Sequence, residues 1–380
     1  MIKVDFVLLI DHVKRELEYC ELLKSALASK GYSVKLMSVN FDLWQLLFIR
    51  TKVLLIPHSI GENQIPLNFY KLNEGITILH LDWEQELFPA FYEYKRSRSA
   101  LELANIHRSS WSDAYTEKLI LDGVSSDMVV RFPRPNQYLL RKRLSETQTK
   151  DVDVFLPMNL TAAFFSDEEI EARIALGMDK NLYLYYVEMS RVFLSKFVVD
   201  LARFCNDYPD KIIVLRPHPL EPADIYIEKI ENANNGIFPS NLSISDSGTV
   251  WDWVTRSEVV VTSWSTVALD CDLCGIESYL LRYFSIKDEF EIPSMLGLQR
   301  VETMNEIYSQ RKQSKRNASR EFSVQSIKMD VSDLTVLYSS SKHFSAKKNI
   351  NTIKISLKRM VAKTFVKYFG FRKERKVDLM

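Results

Sequence analysis

The chain has 380 residues, 46% of them apolar and 26% charged, which excludes a disordered or fibrous polypeptide and supplies material for two cores. Its formal net charge of +1 conceals an asymmetry: residues 341–380 carry twelve Lys or Arg against two acidic residues, and the rest of the chain sums to −9. Four cysteines exclude a disulfide-framed scaffold, no apolar run reaches the roughly 18–20 residues of a bilayer span, and Lys3, Asp5 and Asp11 interrupt any signal peptide, so a cytoplasmic protein with reduced thiols is expected.

In chain order, Val4–Ile10 reads as a buried strand. Lys14–Ser29 reads as a helix with Leu17, Cys20, Leu23 and Leu27 at helical spacing, and Gly31 stops it. Ser33–Val39, Val53–Pro57 and Ile76–Leu81 are further apolar runs of strand length. The last ends in the acidic cluster Asp82, Glu84 and Glu86. Near-continuous apolar strands alternating with amphipathic helices predict a parallel sheet covered on both faces. Two prolines in Phe132–Asn136 and the charged stretch Arg141–Asp151 predict a linker, closing a first domain over 1–145.

The pattern then restarts. Val152–Pro157, Leu182–Val187, Lys211–Arg216, Leu242–Ser245 and Glu258–Thr262 read as strands. Arg191–Asn206, Trp251–Arg256 and Thr266–Cys274 read as helices. A second domain over 151–340 follows, with a separate tail over 341–380. Two consecutive Rossmann-like units with parallel sheets facing a central cleft make an α/β protein of GT-B architecture. Ligands in such sheets sit beyond the carboxyl ends of the strands.

Two turns stand at such ends. Arg216-Pro217-His218-Pro219 follows an apolar strand and offers a planar fork of donors and an imidazole on a rigid turn, which suits a phosphate-bearing ligand. The same four residues also fit a rigid turn with a capping histidine. Farther on, Val259–Thr262 feeds the hydroxyl-rich turn Ser263-Trp264-Ser265-Thr266 and then a helix, whose free N–H groups favour an anion there and make Ser263, Ser265 and Thr266 donor-side candidates; plain capping of that helix by Ser263 or Ser265 fits as well. Between them lies a short segment holding Asp246 and Asp252.

Arg216–Pro219, then Asp246 to Trp253, then Ser257 through Asp270 to Gly275 resemble the donor-binding half of GT-B transferases of surface polysaccharides. Among these the chain is most similar to the surface carbohydrate biosynthesis family, related to the Kdo transferases of capsule and O-antigen assembly. Asp11-His-Val-Lys-Arg-Glu-Leu17, with Leu22-Leu-Lys24 and Lys30-Gly-Tyr32, is similar to that family's opening. The resemblance spans roughly residues 1–285. It implies a nucleotide-sugar donor, CMP-Kdo or a related CMP-linked sugar, whose phosphate His218 and Ser265 or Thr266 hold. Asp270 falls where the family carries an acidic residue on the following helix. The family's Gly-Asn-Pro-Arg-like turn is replaced here by Arg131-Phe-Pro-Arg-Pro135.

Catalysis calls for a carboxylate. The cluster at 81–86 resembles the acidic turn at this point in related Kdo transferases. Glu84 is the favoured base or nucleophile, with Asp82 in reserve. A solvated acidic loop fits the same residues. His12 is a further catalytic candidate, and Asp11, Arg15 and His58 are acceptor-side candidates at or just after strand ends. Glu188 and Asn159 are donor-side candidates on strand-end position alone. Cys271 and Cys274 form a CxxC without a second pair, which reads as core packing on a helix and not as a metal site. No metal or other cofactor is expected. Dinucleotide and ATP motifs are absent.

In the tail, Ile353, Leu357, Met360, Val361 and Phe365 recur at helical spacing among Lys354, Lys358, Arg359, Lys363 and Lys367. Such a basic amphipathic helix suits an anionic membrane surface, and a helix packed back on the first domain also fits. Nucleic acid is not an expected partner. The expectation is a glycosyltransferase acting on a lipid-linked oligosaccharide at the inner face of the cytoplasmic membrane. Its rivals are a CDP-glycerol-type glycerophosphotransferase and a non-catalytic nucleotide-sugar-binding scaffold.

Overall fold

The computed structural model describes residues 2–11, 13–39, 41–42, 45–46, 48–57, 76–83, 85–86, 88–91, 106–132, 134–146, 149–314 and 331–340. Among these the chain divides into two compact units. Unit 1 holds the described residues of 1–85, 97–134 and 331–340. Unit 2 holds 86–91 and 135–314.

Unit 1 contains β1 (Ile2–Lys3), β2 (Phe6–Ile10), β3 (Val34–Ser38), β4 (Ile49–Arg50), β5 (Val53–Ile56), β6 (Thr77–His80), β7 (Ile106–Ser110) and β8 (Val129–Arg131). Six of them form one parallel sheet in the order β3-β2-β5-β6-β7-β8, and β1 pairs with β4 apart from it. All five residues of β2 and all four of β5 are buried, as continuous apolar runs covered on both faces require. The helix Val13–Ser29 buries Tyr19, Cys20, Leu23 and Leu27. Leu17, expected on that apolar stripe, is exposed instead. Its neighbour Glu16 is buried, because its carboxylate accepts the Asp11 N–H at 2.8 Å where strand gives way to helix. Gly31, at φ 87°, takes the left-handed turn that ends the helix.

Unit 2 contains β9 (Val152–Pro157), β10 (Ile213–Arg216), β11 (Leu242–Ile244), β12 (Ser257–Thr262), β13 (Ser278–Leu281) and β14 (Arg300–Val301). All are parallel, in the order β11-β10-β9-β12-β13-β14. Counted within the unit this is 3-2-1-4-5-6, the doubly wound order whose direction reverses between β9 and β12.

Three sequence expectations are corrected here. Leu182–Val187 is not a strand: one helix runs over Lys180–Asp207. Asp179 caps it by accepting the Leu182 N–H at 2.9 Å, and Tyr183, Val187, Ser190, Leu194, Phe197, Leu201 and Phe204 line its buried stripe at alternating spacings of four and three. The charged stretch after residue 140 is not simply a linker. A helix covers Pro135–Glu146 in unit 2, buries Tyr138, Leu139 and Leu140, and sends Arg143 to the Asp252 carboxylate and Arg141 to the Leu273 carbonyl. The helix Ser332–Ser340, placed by sequence in the second domain, groups with unit 1. Tyr338 donates to Asp5 at 2.8 Å and stacks on Phe6 with ring centroids 5.5 Å apart, which holds it there.

Among the described residues no helix is long and apolar enough to cross a membrane. The tail 341–380 lies outside the described residues.

Candidate functional site

In unit 2 the sheet register brings three strand ends level. Arg216 of β10 stands opposite Pro157 of β9. On the other side Val260 stands opposite Phe155, so β12 reaches the same level two residues later, where the Thr262 hydroxyl donates to the Pro157 carbonyl. Neighbouring strands lie about 4.8 Å apart, which sets the turns after β10 and β12 about 10 Å apart, astride the turn after β9. Asn159, the Arg216–Pro219 turn and the Ser263–Thr266 turn therefore share one carboxyl edge, next to the point where strand order reverses.

The side chains divide into those that hold these turns and those that remain at the edge. Arg216, half-buried, donates to the Ser247 carbonyl at 2.7 Å and to the Gly248 carbonyl at 3.0 Å. Burial lowers its pKa, offset by the nearby Asp246 charge. It fixes the loop after β11, a role the sequence reading did not foresee. His218, also half-buried, accepts the Leu220 N–H on Nδ1 at 3.3 Å, which leaves the proton of a neutral ring on Nε2. Asn159 is half-buried, and its side-chain oxygen accepts from the Thr161 hydroxyl at 3.2 Å.

On the β12 side Ser265, one of the two expected capping residues, meets the first N–H of the helix, and Ser263 does not. The residue at the helix start is Thr266, which makes no side-chain capping bond, and the Ser265 hydroxyl accepts the Val267 N–H at 3.3 Å. Ser265 and Thr266 are half-buried at the edge. Ser263 is fully buried and its hydroxyl has no hydrogen-bond partner among the described residues, because the chain turns inward there. Its carbonyl accepts from Arg282, a buried cation just past β13 that lies over the Trp264 ring at 5.3 Å and faces Glu291 at 3.7 Å. Burial pulls the Arg282 pKa down to about 10.

With Ser263 fully buried, two further donor-side candidates also move away from that role. Asp270 is fully buried and accepts from Asn136 at 3.2 Å, so it ties its helix to Pro135–Glu146. Glu188 stands on an exposed face of the helix Lys180–Asp207, because the strand that would have put it at a sheet edge does not exist. Asp252 closes a capping box with Thr249. Cys271 is buried and its thiol is pushed well up by burial, in keeping with core packing.

One residue at this edge escaped the sequence reading. Glu221 is 6% exposed, and its carboxylate accepts from four donors: the Leu160 N–H, the Thr161 hydroxyl at 3.3 Å, the His218 N–H at 3.2 Å and the Tyr226 hydroxyl at 2.8 Å. Burial pushes its carboxyl up to about 7, against the lowering effect of those bonds. The signal was present: an acidic residue two positions past Pro219, before a second proline.

In unit 1 the sheet order places the ends of β2 and β5 side by side, with β6 next. Asp11 follows β2 and is half-buried. Asp82, past β6, takes a left-handed conformation at φ 47° and accepts from the Tyr115 hydroxyl. Gln85 donates to the Ser109 carbonyl at 3.1 Å and accepts the Trp111 N–H at 2.9 Å, which ties the segment back to β7. His12, His58 and Glu84 lie outside the described residues, as does the side chain of Arg15. Among the described residues no group of three or more His, Cys, Asp or Glu side chains is arranged to hold a metal ion.

No family model matches the chain, and no curated protein does. Solved structures do. The UDP-GlcNAc 2-epimerase from Methanocaldococcus jannaschii matches with a TM-score of 0.54 at 10% identity, over 89% of this chain and 100% of its own. The wall teichoic acid polymerase TagF, soaked with CDPG, matches with a TM-score of 0.51 at 12% identity, over 95% of this chain and 89% of its own. MnaA of S. aureus, solved with UDP, matches with a TM-score of 0.50 at 12% identity and 99% coverage of both chains. At such identities the likeness is one of fold. The chain has an α/β fold of the GT-B class, with two parallel-sheet units.

Proposed function

We propose that this chain is an enzyme of bacterial surface-polysaccharide assembly that transfers a sugar from a nucleotide donor, with CMP-Kdo or a related CMP-linked sugar as donor and a lipid-linked glycan as acceptor. What carries the reading is the shared carboxyl edge of β9, β10 and β12. There Asn159, His218 and the Ser265-Thr266 turn flank the strand-order reversal at which doubly wound sheets take nucleotides. His218 and the hydroxyls of Ser265 and Thr266 are assigned to the donor phosphate, with Arg216 acting through the loop it holds. Fixed donors of this kind stabilise a departing phosphate without a metal ion. Fold likeness to structures solved with UDP and with CDPG supports a nucleotide-linked substrate.

Glu84 is assigned as base or nucleophile from its place in the acidic segment after β6, with Asp82 and His12 in reserve and Asp11, Arg15 and His58 on the acceptor side. The basic tail is assigned to the anionic inner face of the cytoplasmic membrane. Fold likeness to TagF favours a second reading, a glycerophosphotransferase using CDP-glycerol.

The test is release of free nucleotide from CMP-Kdo, CDP-glycerol and UDP-GlcNAc in the presence of membrane extract. CMP release from CMP-Kdo, abolished by Glu84→Gln and by His218→Ala, is the expected result. CMP release from CDP-glycerol alone would establish the second reading. Nucleotide binding without turnover would leave a scaffold. For the tail, truncation after residue 345 is expected to abolish binding to anionic vesicles, and unchanged binding would remove the membrane assignment.

A further inference from the structure

Glu221 differs from the other polar residues at the donor edge in what it connects. Its four donors come from separate parts of the chain. Leu160 and Thr161 belong to the turn after β9, His218 to the turn after β10, and Tyr226 to the helix Ala223–Ala233. The Glu221 N–H also returns a bond to the His218 carbonyl at 2.8 Å, so His218 is held through both of its backbone polar groups. A buried carboxylate is costly unless its lone pairs are filled, and here they are filled by the two turns that carry Asn159 and His218.

We propose that Glu221 is the positioning residue of the donor site: its carboxylate clamps the turn after β9 to the turn after β10 and so fixes Asn159 and the His218 ring relative to each other. The role rests on the donor-site reading above. A glutamine offers one acceptor oxygen in place of two and turns an N–H₂ toward the Leu160 or His218 N–H, two donors meeting head-on. An aspartate keeps the charge and both acceptors on a stem one methylene shorter. The groups around Glu221 are the Tyr226 phenol, which donates to it, the Tyr186 phenol on the helix Lys180–Asp207, and Arg191 and Lys229. The last two line, with Glu221, Pro219 and Leu220, a cavity of about 710 Å³. Two of these are cations, and neither is bonded to the carboxylate among the described residues.

The experiment uses the full chain. CMP and UDP are titrated calorimetrically into the wild type, Glu221→Gln and Glu221→Asp, and the six histidines are labelled with ¹⁵N to read the ring tautomer of His218. The expected result is loss of affinity by about tenfold in Glu221→Gln for whichever nucleotide the wild type binds, as one or two buried hydrogen bonds are lost. It includes partial recovery in Glu221→Asp, and a His218 spectrum that moves from the Nε2–H form toward exchange between tautomers in Glu221→Gln. Tyr226→Phe, which removes one donor and leaves both turns bonded, serves as the folding control and retains the wild-type tautomer. Equal nucleotide affinity in wild type and Glu221→Gln, or an unchanged His218 spectrum, overturns the positioning role alone. Binding of neither nucleotide by the wild type overturns the donor-site reading and this role with it.

Discussion

The two units use buried charge differently at their strand ends. In unit 2 three buried or half-buried charged residues at strand ends tie down neighbouring turns. Arg216 holds the carbonyls at 247 and 248, Arg282 holds the carbonyl of Ser263, and Glu221 joins the turns after β9 and β10. In unit 1 Glu16 does this, holding the Asp11 N–H past β2; Arg108 of β7, fully buried, instead meets His80 of β6 within the sheet, and Asp82 and Gln85 past β6 bond back to Tyr115, Ser109 and Trp111. Unit 2 is thus a set of turns cross-braced by side chains. A charged residue at a sheet's carboxyl edge can be a brace or a ligand group, and what the charge already holds tells the two apart.

The largest expected effect tests that bracing. Arg282 is 8% exposed, so Arg282→Ala leaves the Ser263 carbonyl and part of Glu291 without their partner, at a cost of about 3 kcal/mol in urea unfolding. Arg256→Ala removes an ion pair with Asp151 that is half in solvent and is expected to cost under about 1 kcal/mol. Similar costs for the two would break the distinction between a brace and a surface pair.

Next comes the pH dependence of Glu221. Its carboxyl is pushed up from the ordinary 4.5 to about 7, so the folded protein keeps a proton that the unfolded chain has released. Its contribution is therefore fully present below about 4.5 and is lost as pH rises to about 7, by about 3 kcal/mol over that interval. Stability measured across the interval is expected to decline less in Glu221→Gln. An identical slope in both proteins would remove Glu221 as the titrating group. The charged form that costs stability is the one able to accept all four donors, so the donor edge is best ordered where the unit is less stable.

How much of this was legible follows from what each feature depends on. β2, β5, β9 and β12 were legible because a doubly covered parallel strand carries a near-continuous apolar run, broken in β9 and β12 by Asp153 and by Ser257, Glu258 and Thr262. β13 and β14, four and two residues long, left no such run. Leu182–Val187 misled because a six-residue window of Leu, Tyr and Val satisfies a strand, while its helical stripe emerges only when Asp179 and the residues to Phe204 are read with it. The turns at 216–219 and 263–266 were legible as strand-end motifs. Glu221 was not, since its burial depends on Leu160 and Thr161, some sixty residues earlier in sequence. Asp270 looked like a ligand group and is a brace for the same reason: its partner Asn136 lies 134 residues away.

A smaller effect separates brace from ligand at Arg216. Arg216→Ala releases the 247–248 loop and is expected to cost about 2 kcal/mol for two lost bonds from a charged donor. Arg216→Lys restores the charge without the fork. If Arg216 acts through the loop, lysine fails to recover nucleotide affinity. If it meets the phosphate directly, lysine recovers much of it, because an ammonium serves an anion as a point charge.

The smallest effect concerns Asp82, where unit 1 poses the same question. The Tyr115 hydroxyl donates to its carboxylate, and Tyr115 is 7% exposed. Tyr115→Phe removes that bond and keeps the ring, so a stability loss of about 1 kcal/mol is expected. With Glu84 as the reacting carboxylate, turnover of the donor identified in the release assay should stay within about twofold, since a positional change at Asp82 then reaches the chemistry only through the backbone. A large fall in turnover at nearly unchanged stability would mean that the Tyr115–Asp82 bond tunes a reacting group. Asp82 would then take the role assigned to Glu84, and a charged strand-end residue of unit 1 would be a reacting group where Arg216, Glu221 and Arg282 of unit 2 are braces.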